Sequence, residues 1–118
     1  VWQLCGIIRG LKMIYVFDID NTICETINGD YKNSKPIKER IDSINELYET
    51  GHTIIFNTAR GMGRTKGDIL MVYEMFFDFT KDQLDNWGVK YNKIYMGKPA
   101  GDIYVDDKGI RDDRFFEI

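Results

Sequence analysis

Four short apolar or β-rich runs, each ending abruptly in a polar cluster, organise this chain. Ile14-Tyr15-Val16-Phe17 stops at Asp18, and Thr53-Ile54-Ile55-Phe56 stops at Asn57-Thr58-Ala59-Arg60. Lys93 to Met96 and Asp102 to Val105 end in the same way, at Gly97-Lys98-Pro99 and at Asp106-Asp107. A continuous apolar run of four residues suits a strand buried on both faces. Between the first two runs lies a polar stretch, Asn28 to Lys35, which reads as a loop or small hairpin. Pro36 is then placed at the first turn of a helix. Ile37, Ile41, Ile44, Leu47 and Tyr48 follow at helical spacing, with Gly51 as the stop.

After Arg60 a glycine-punctuated loop, Gly61 to Gly67, leads to a second helical pattern. Ile69, Val72, Tyr73, Phe76 and Phe77 form its apolar stripe, continued by Leu84 and Trp87 before Gly88. The helical period favours core packing over an aromatic ligand platform. The order is strand, helix, strand, helix, strand, strand. It predicts a single α/β domain with a mostly parallel central sheet and helices on its faces.

Length and composition narrow this further. A chain of 118 residues suits one domain, and 43% hydrophobic residues supply one core and argue against disorder. A net charge of -3 disfavours a nucleic-acid binder that works through a broad basic surface, so nucleic acid is an unlikely partner. No apolar run approaches the roughly 18 residues of a membrane span. Cys5 and Cys24 have no disulfide-framework or metal-cluster spacing and read as reduced thiols of a cytoplasmic protein. Met13 directly precedes the first strand. Residues 1–12 are therefore read as a leader or upstream remnant, and 13–118 as the domain.

The candidate chemistry stands at the strand ends, where open parallel sheets place their ligand sites. It comprises Asp18-Ile19-Asp20-Asn21-Thr22, Thr58, Lys98 and the pair Asp106-Asp107. Any one alone is commonplace, since a paired aspartate is usually a solvated turn and D-x-D-x-T recurs by chance. All four in this order, each after a strand, form a joint signal. Asp18 and Asp20, two apart on an extended segment, can approach one site if the chain turns after Asp18. One would stay ionised to attack, and the other would exchange a proton.

On these motifs the stretch from about Met13 to Lys108 resembles the haloacid dehalogenase-like phosphatase superfamily. That resemblance implies a Rossmann-like three-layer fold and a Mg²⁺-dependent phosphomonoesterase with a phospho-aspartyl intermediate. It casts Asp18 as nucleophile and Asp20 as general acid/base. Thr58 and Lys98, with Ala59 and Arg60 of the same loop as Thr58, would bind phosphate. Asp18, Asp20, Asp106 and Asp107 would hold the metal, with Asp107 as the direct ligand of the late pair and Asp106 behind it. An aspartate at position 20 favours the phosphatase branch over the dehalogenase branch, which lacks it. Arg60 and Arg64 could also clamp a second anionic group as a fork. His52 reads as a surface or cap residue.

The distances Thr22 to Thr58 and Thr58 to Lys98 leave no room for an inserted cap domain. An open site then accepts a bulky substrate or is covered by a neighbouring copy in a homo-oligomer, with Asn28 to Lys35 as a small flap. The Asn57-Thr58-Ala59-Arg60-Gly61 wording resembles small phosphatases of capsule and sugar biosynthesis, which makes a phosphorylated sugar the expected substrate. The alternatives are a polynucleotide end phosphatase and a metal- and phosphate-binding regulatory module without turnover.

Overall fold

The computed structural model describes residues 11–117. The expected leader, 1–12, thus lies outside the described residues except for Leu11 and Lys12. Strand β1 (Ile14–Phe17) is followed by a two-residue strand β2 (Cys24–Glu25), a 3-10 turn (Tyr31–Asn33) and a two-residue strand β3 (Lys35–Pro36). Helix α1 (Lys38–Glu49), strand β4 (Thr53–Thr58), helix α2 (Ile69–Asn86), strand β5 (Lys93–Met96) and a one-turn helix α3 (Asp112–Phe115) complete the order. The fold is α/β and Rossmann-like, built on a parallel sheet ordered β1-β4-β5. Registers Phe17↔Phe56 and Thr58↔Met96 bring the carboxyl ends of the three strands to one rim.

β2 and β3 pair antiparallel, Cys24 with Pro36. The segment expected as a loop or small hairpin is therefore a hairpin, and no further domain is inserted there. Pro36 belongs to it rather than to the helix, and α1 starts at Lys38 behind Ile37. α2 begins where Asp68 accepts a hydrogen bond from Met71 N, and it ends before Trp87 and Gly88. Gly61 has a φ of 78°, and a Cβ there would run into the ring of Phe76. Only glycine lets the loop after β4 pass this close beneath α2.

Alternation along the strands sends Tyr15, Phe17, Ile54, Phe56, Thr58, Ile94 and Met96 to one face of the sheet. There Ile41, Ile44 and Leu47 of α1 and Leu84 of α2 close one buried cluster around Phe17, Ile54 and Phe56. Val72 and Phe76 close a second around Met96. α3, which the apolar pattern did not predict, adds Phe115 against Tyr15 and Phe17, and Arg40 holds it through Asp112 at 2.6 Å. His52 accepts from Met13 N and meets Tyr15 edge-on, a structural role as expected. The opposite face is barer: Ile14 is 67% and Val16 60% exposed.

The expected fourth strand, Asp102 to Val105, does not form. The segment is irregular, its apolar side chains face solvent, and Val105 is 91% exposed. Tyr104 instead folds its hydroxyl back, donating to Pro99 O and accepting from Gly101 N. The residue types favour a strand, but strand geometry requires a ladder partner. Among the described residues the segment has none.

The unequal exposure of the two faces has a measurable consequence. Leu84→Ala should lower the unfolding free energy by about 2–5 kcal/mol. Val16→Ala should cost less than about 1 kcal/mol, as expected for an exposed side chain. Urea melts of the two variants check this, and equal costs would contradict the described packing.

Candidate active site

The site grows from the turn after β1. Thr22 N and Ile23 N both donate to Ile19 O, which wraps the chain sharply after Asp18. Asn21 takes a φ of 61°, a left-handed conformation that asparagine tolerates, and its Oδ1 accepts from Thr26 N. The turn brings Asp18 and Asp20 to one cavity of about 260 Å³, which Asn21, Thr26, Asn28, Tyr31 and Ala59 also line. Two carboxylates two residues apart share a pocket because the chain turns after Asp18.

Asp18 is part-buried at the end of β1. Its Oδ1 accepts from Ile19 N at 2.8 Å, and its Oδ2 lies 3.8 Å from Lys98 Nζ. Burial pushes its carboxyl above the ordinary aspartate range. The Lys98 charge and the Ile19 N–H oppose that shift, and the charge of Asp20 adds to it. Lys98 reaches the site because its backbone N–H donates to Thr58 O, continuing the approach of β5 to β4. Its ammonium lies 4.4 Å from the centre of the Tyr104 ring. Thr58 is fully buried, and its Oγ1 accepts from Arg60 N at 3.1 Å. Neither Thr58 nor Lys98 is among the residues that line the cavity.

Arg60 lines the cavity too, but its guanidinium is engaged within the protein. The side chain is buried, the residue being 1% exposed. Nε donates to Asp20 Oδ2 and Nη2 to Asp20 Oδ1, both at 2.9 Å. Nη1 reaches Thr80 Oγ1 at 3.4 Å, and the guanidinium stacks 4.8 Å over Tyr31. A buried guanidinium needs its charge answered where it lies, and Asp20 answers it. The fork expected on a substrate phosphate is committed to the protein. Arg64 likewise donates to Gly29 O and lies 5.3 Å over the Tyr31 ring, so it ties down the hairpin instead of facing a second anion.

The late aspartates stand apart. Asp106 and Asp107 are exposed and do not line the cavity. Asp106 Oδ1 accepts from Lys108 N and Gly109 N, and these donors hold its carboxyl below the ordinary range. Asp107 pairs with Lys108 across solvent. Among the described residues no three His, Cys, Asp or Glu side chains gather into a group that could hold a metal. The Mg²⁺ set of Asp18, Asp20, Asp106 and Asp107 is therefore not assembled here. The reason is the missing fourth strand, which was to carry the pair to the rim.

Sequence reasoning missed Thr26, Ser34 and Tyr31. Thr26 Oγ1 donates to Asp20 Oδ1 at 2.6 Å, and Ser34 Oγ lies 2.6 Å from Thr26 Oγ1. Tyr31 supplies the face under both arginines and accepts from Gly61 N. Tyr31 and Ser34 lay in the polar stretch Asn28 to Lys35, their one sequence signal, and Thr26 lay outside it with none. Cys24 is buried, and burial pushes its thiol up. A raised thiol is a poor nucleophile.

No family model matches the chain, and no curated protein does. It is similar to a crystal structure of a target protein from Vibrio cholerae, at 28% identity and a TM-score of 0.82. The match covers 92% of this chain and 89% of that one, which supports the fold over nearly its whole length.

The direction of the Asp18 shift predicts a stability signature. A carboxyl whose pKa is raised by folding binds more protons in the native state, so its contribution to stability falls as pH rises from the unfolded value through the folded one. Asp18→Asn removes that loss. It should melt above the parent protein at neutral pH, and the gap should shrink below the ordinary carboxylate range. Melting midpoints at several pH values measure this. A variant less stable at neutral pH would contradict burial as the dominant effect.

Proposed function

We propose that this protein is a Mg²⁺-dependent phosphomonoester hydrolase that works through a phospho-aspartyl intermediate on Asp18. The observation that carries the reading is Asp18 at a strand end, in one cavity with Asp20 and with Lys98 Nζ 3.8 Å away. In this reading Asp18 Oδ2 attacks phosphorus. Lys98 neutralises the oxygens of the transferring group, and the Thr58 hydroxyl donates to one of them. Asp20 gives a proton to the leaving oxygen and later takes one from water.

Charge supports a cation requirement. A carboxylate and a phosphate about 4 Å apart repel by roughly 4 kcal/mol at an effective dielectric near 20, and Lys98 brings a single positive charge. Mg²⁺ prefers hard oxygen ligands. Asp107 and Asp106 would complete such a site only if the exposed 102–107 segment came to the β1 rim.

The substrate we infer is a small phosphorylated metabolite, a sugar phosphate above all. A cavity of about 260 Å³ with Asn21 and Asn28 on its walls offers hydrogen bonds to hydroxyl groups. Its open mouth and the absence of a cap insertion leave room for a second copy to cover it. A cytoplasmic, reducing location suits the free thiol of Cys24. No helix among the described residues is long and apolar enough to cross a membrane.

Hydrolysis of 4-nitrophenyl phosphate in the presence of Mg²⁺ tests the reading. Asp18→Asn should reduce turnover by at least about 10³-fold, and a chelator should abolish it. Sugar phosphates assayed beside 3′- and 5′-phosphorylated oligonucleotides test the substrate class. Turnover confined to the oligonucleotides would overturn the sugar assignment. Absent turnover with retained Mg²⁺ and phosphate binding would make the chain a binding module.

A further inference from the structure

A second cavity, of about 330 Å³, lies between α2 and the hairpin. Phe79, Asp82, Gln83 and Asn86 line it from one helix face, with Trp87 just beyond the last turn. Lys32 and Ser34 line it from the hairpin. Phe79 is 37% exposed, and Trp87 is only partly buried against the core. The two aromatic positions stand roughly 12 Å apart along the helix axis. The polar groups around them are left unanswered by the protein. Among the described residues Lys32 and Asp82 form no ion pair, and the Asn86 amide and Trp87 indole N–H make no hydrogen bond. Other surface charges are paired, Lys38 with Asp42 and Lys81 with Asp85. Gln83 donates to Tyr31 O at 2.7 Å, and its Oε1 is buried without a partner. Thr26 spends its hydroxyl proton on Asp20, so Ser34 donates to Thr26 and keeps only acceptor capacity.

We propose that this cavity binds an adenine nucleoside monophosphate, at a site separate from the candidate active site. The two cavities share no lining residue, and binding here needs nothing from Asp18 or Asp20. Its volume lies at the lower end of the roughly 300–1,000 Å³ of ligand cavities, which limits the occupant to a small molecule. Each unpaired group then selects one feature of that molecule. An exposed aromatic ring stacks on a flat heterocycle. The Asn86 amide offers a donor beside an acceptor, the complement of the adenine edge that carries N6 and N7. Asp82 only accepts, so it suits the paired hydroxyls of a ribose. Lys32 only donates and carries a charge, so it suits the phosphate. A sugar phosphate would leave the rings without a flat partner. A free base would leave Lys32 and Asp82 unanswered. A polynucleotide is disfavoured by the exposed carboxylates Glu74 and Asp78 of the same helix.

Calorimetry with AMP, adenosine and ribose 5-phosphate tests this, with a chelator present to prevent turnover. The chain has two tryptophans, Trp2 and Trp87, so in a Trp2→Phe protein the fluorescence reports on the cavity alone. AMP should bind saturably and change that fluorescence. Adenosine and ribose 5-phosphate should each bind at least about 10-fold more weakly, for want of the phosphate or of the base. Lys32→Ala should weaken AMP by about 10-fold and leave adenosine within about twofold. Asn86→Ala should abolish the preference for AMP over IMP, whose ring carries oxygen in place of the amino group. Both side chains are exposed, so neither variant endangers the fold. Lys98→Ala, at the other cavity's edge, should leave AMP affinity within about twofold. No saturable binding of AMP, or binding equal to that of ribose 5-phosphate, would overturn the site. So would AMP binding that is silent at Trp87, or that Lys98→Ala abolishes and Lys32→Ala does not. Each of these outcomes leaves the phosphatase reading to its own assay.

Discussion

A guanidinium sealed from solvent must be neutralised where it lies, and in this fold the group that meets it belongs to the candidate active site. Arg60 leaves the loop after β4, passes over the Tyr31 ring, and closes on Asp20 after β1. One ion pair therefore joins three segments distant in sequence. Removing one partner of a buried pair costs about 3–5 kcal/mol, because the other charge is stranded. Structure and chemistry are tied at this point, since the carboxylate that stabilises the loop is also the one proposed to move a proton.

The sheet makes that meeting possible. Parallel pairing of β1 with β4 sets Phe17 opposite Phe56, so the chain leaves both strands at the same rim. Asp18 and Asp20 follow one strand end, and Thr58, Ala59 and Arg60 close the other. Lys98 joins them through its backbone bond to Thr58 O. Apolar packing on the helix-covered face holds the strands, while the polar groups at the rim answer one another. Asp18 is the exception. Its burial opposes its charge, and a group strained in this way is what a nucleophilic site tends to contain.

Much of this could be read along the chain because the signals were local. Apolar runs ending in Asp18 and in Asn57-Thr58 marked β1 and β4. The spacing of Ile41, Ile44 and Leu47, and of Val72, Phe76 and Leu84, marked the two long helices. Asp18, Asp20 and Lys98 came together because strand ends must share a rim. What could not be read depended on partners. Ile103-Tyr104-Val105 has strand chemistry but no neighbouring ladder among the described residues, and the pair Asp106-Asp107 stays in an exposed turn. Arg60 was assigned to phosphate by its position in the loop, yet its side chain points inward to a carboxylate that only the folded hairpin brings near. Thr26 and Ser34 carried no motif at all, and their hydrogen bonds to Asp20 and to each other arise from the β2–β3 pairing.

The account turns on whether Asp18 forms a bond to phosphorus. Acid-quenching the protein during turnover of an aryl phosphate, followed by peptide mass spectrometry, addresses this directly. A single phosphoryl group on the peptide containing Asp18, absent from Asp18→Asn, is the predicted result. Turnover without any covalent phosphoryl group, or with one on another residue, would contradict the account.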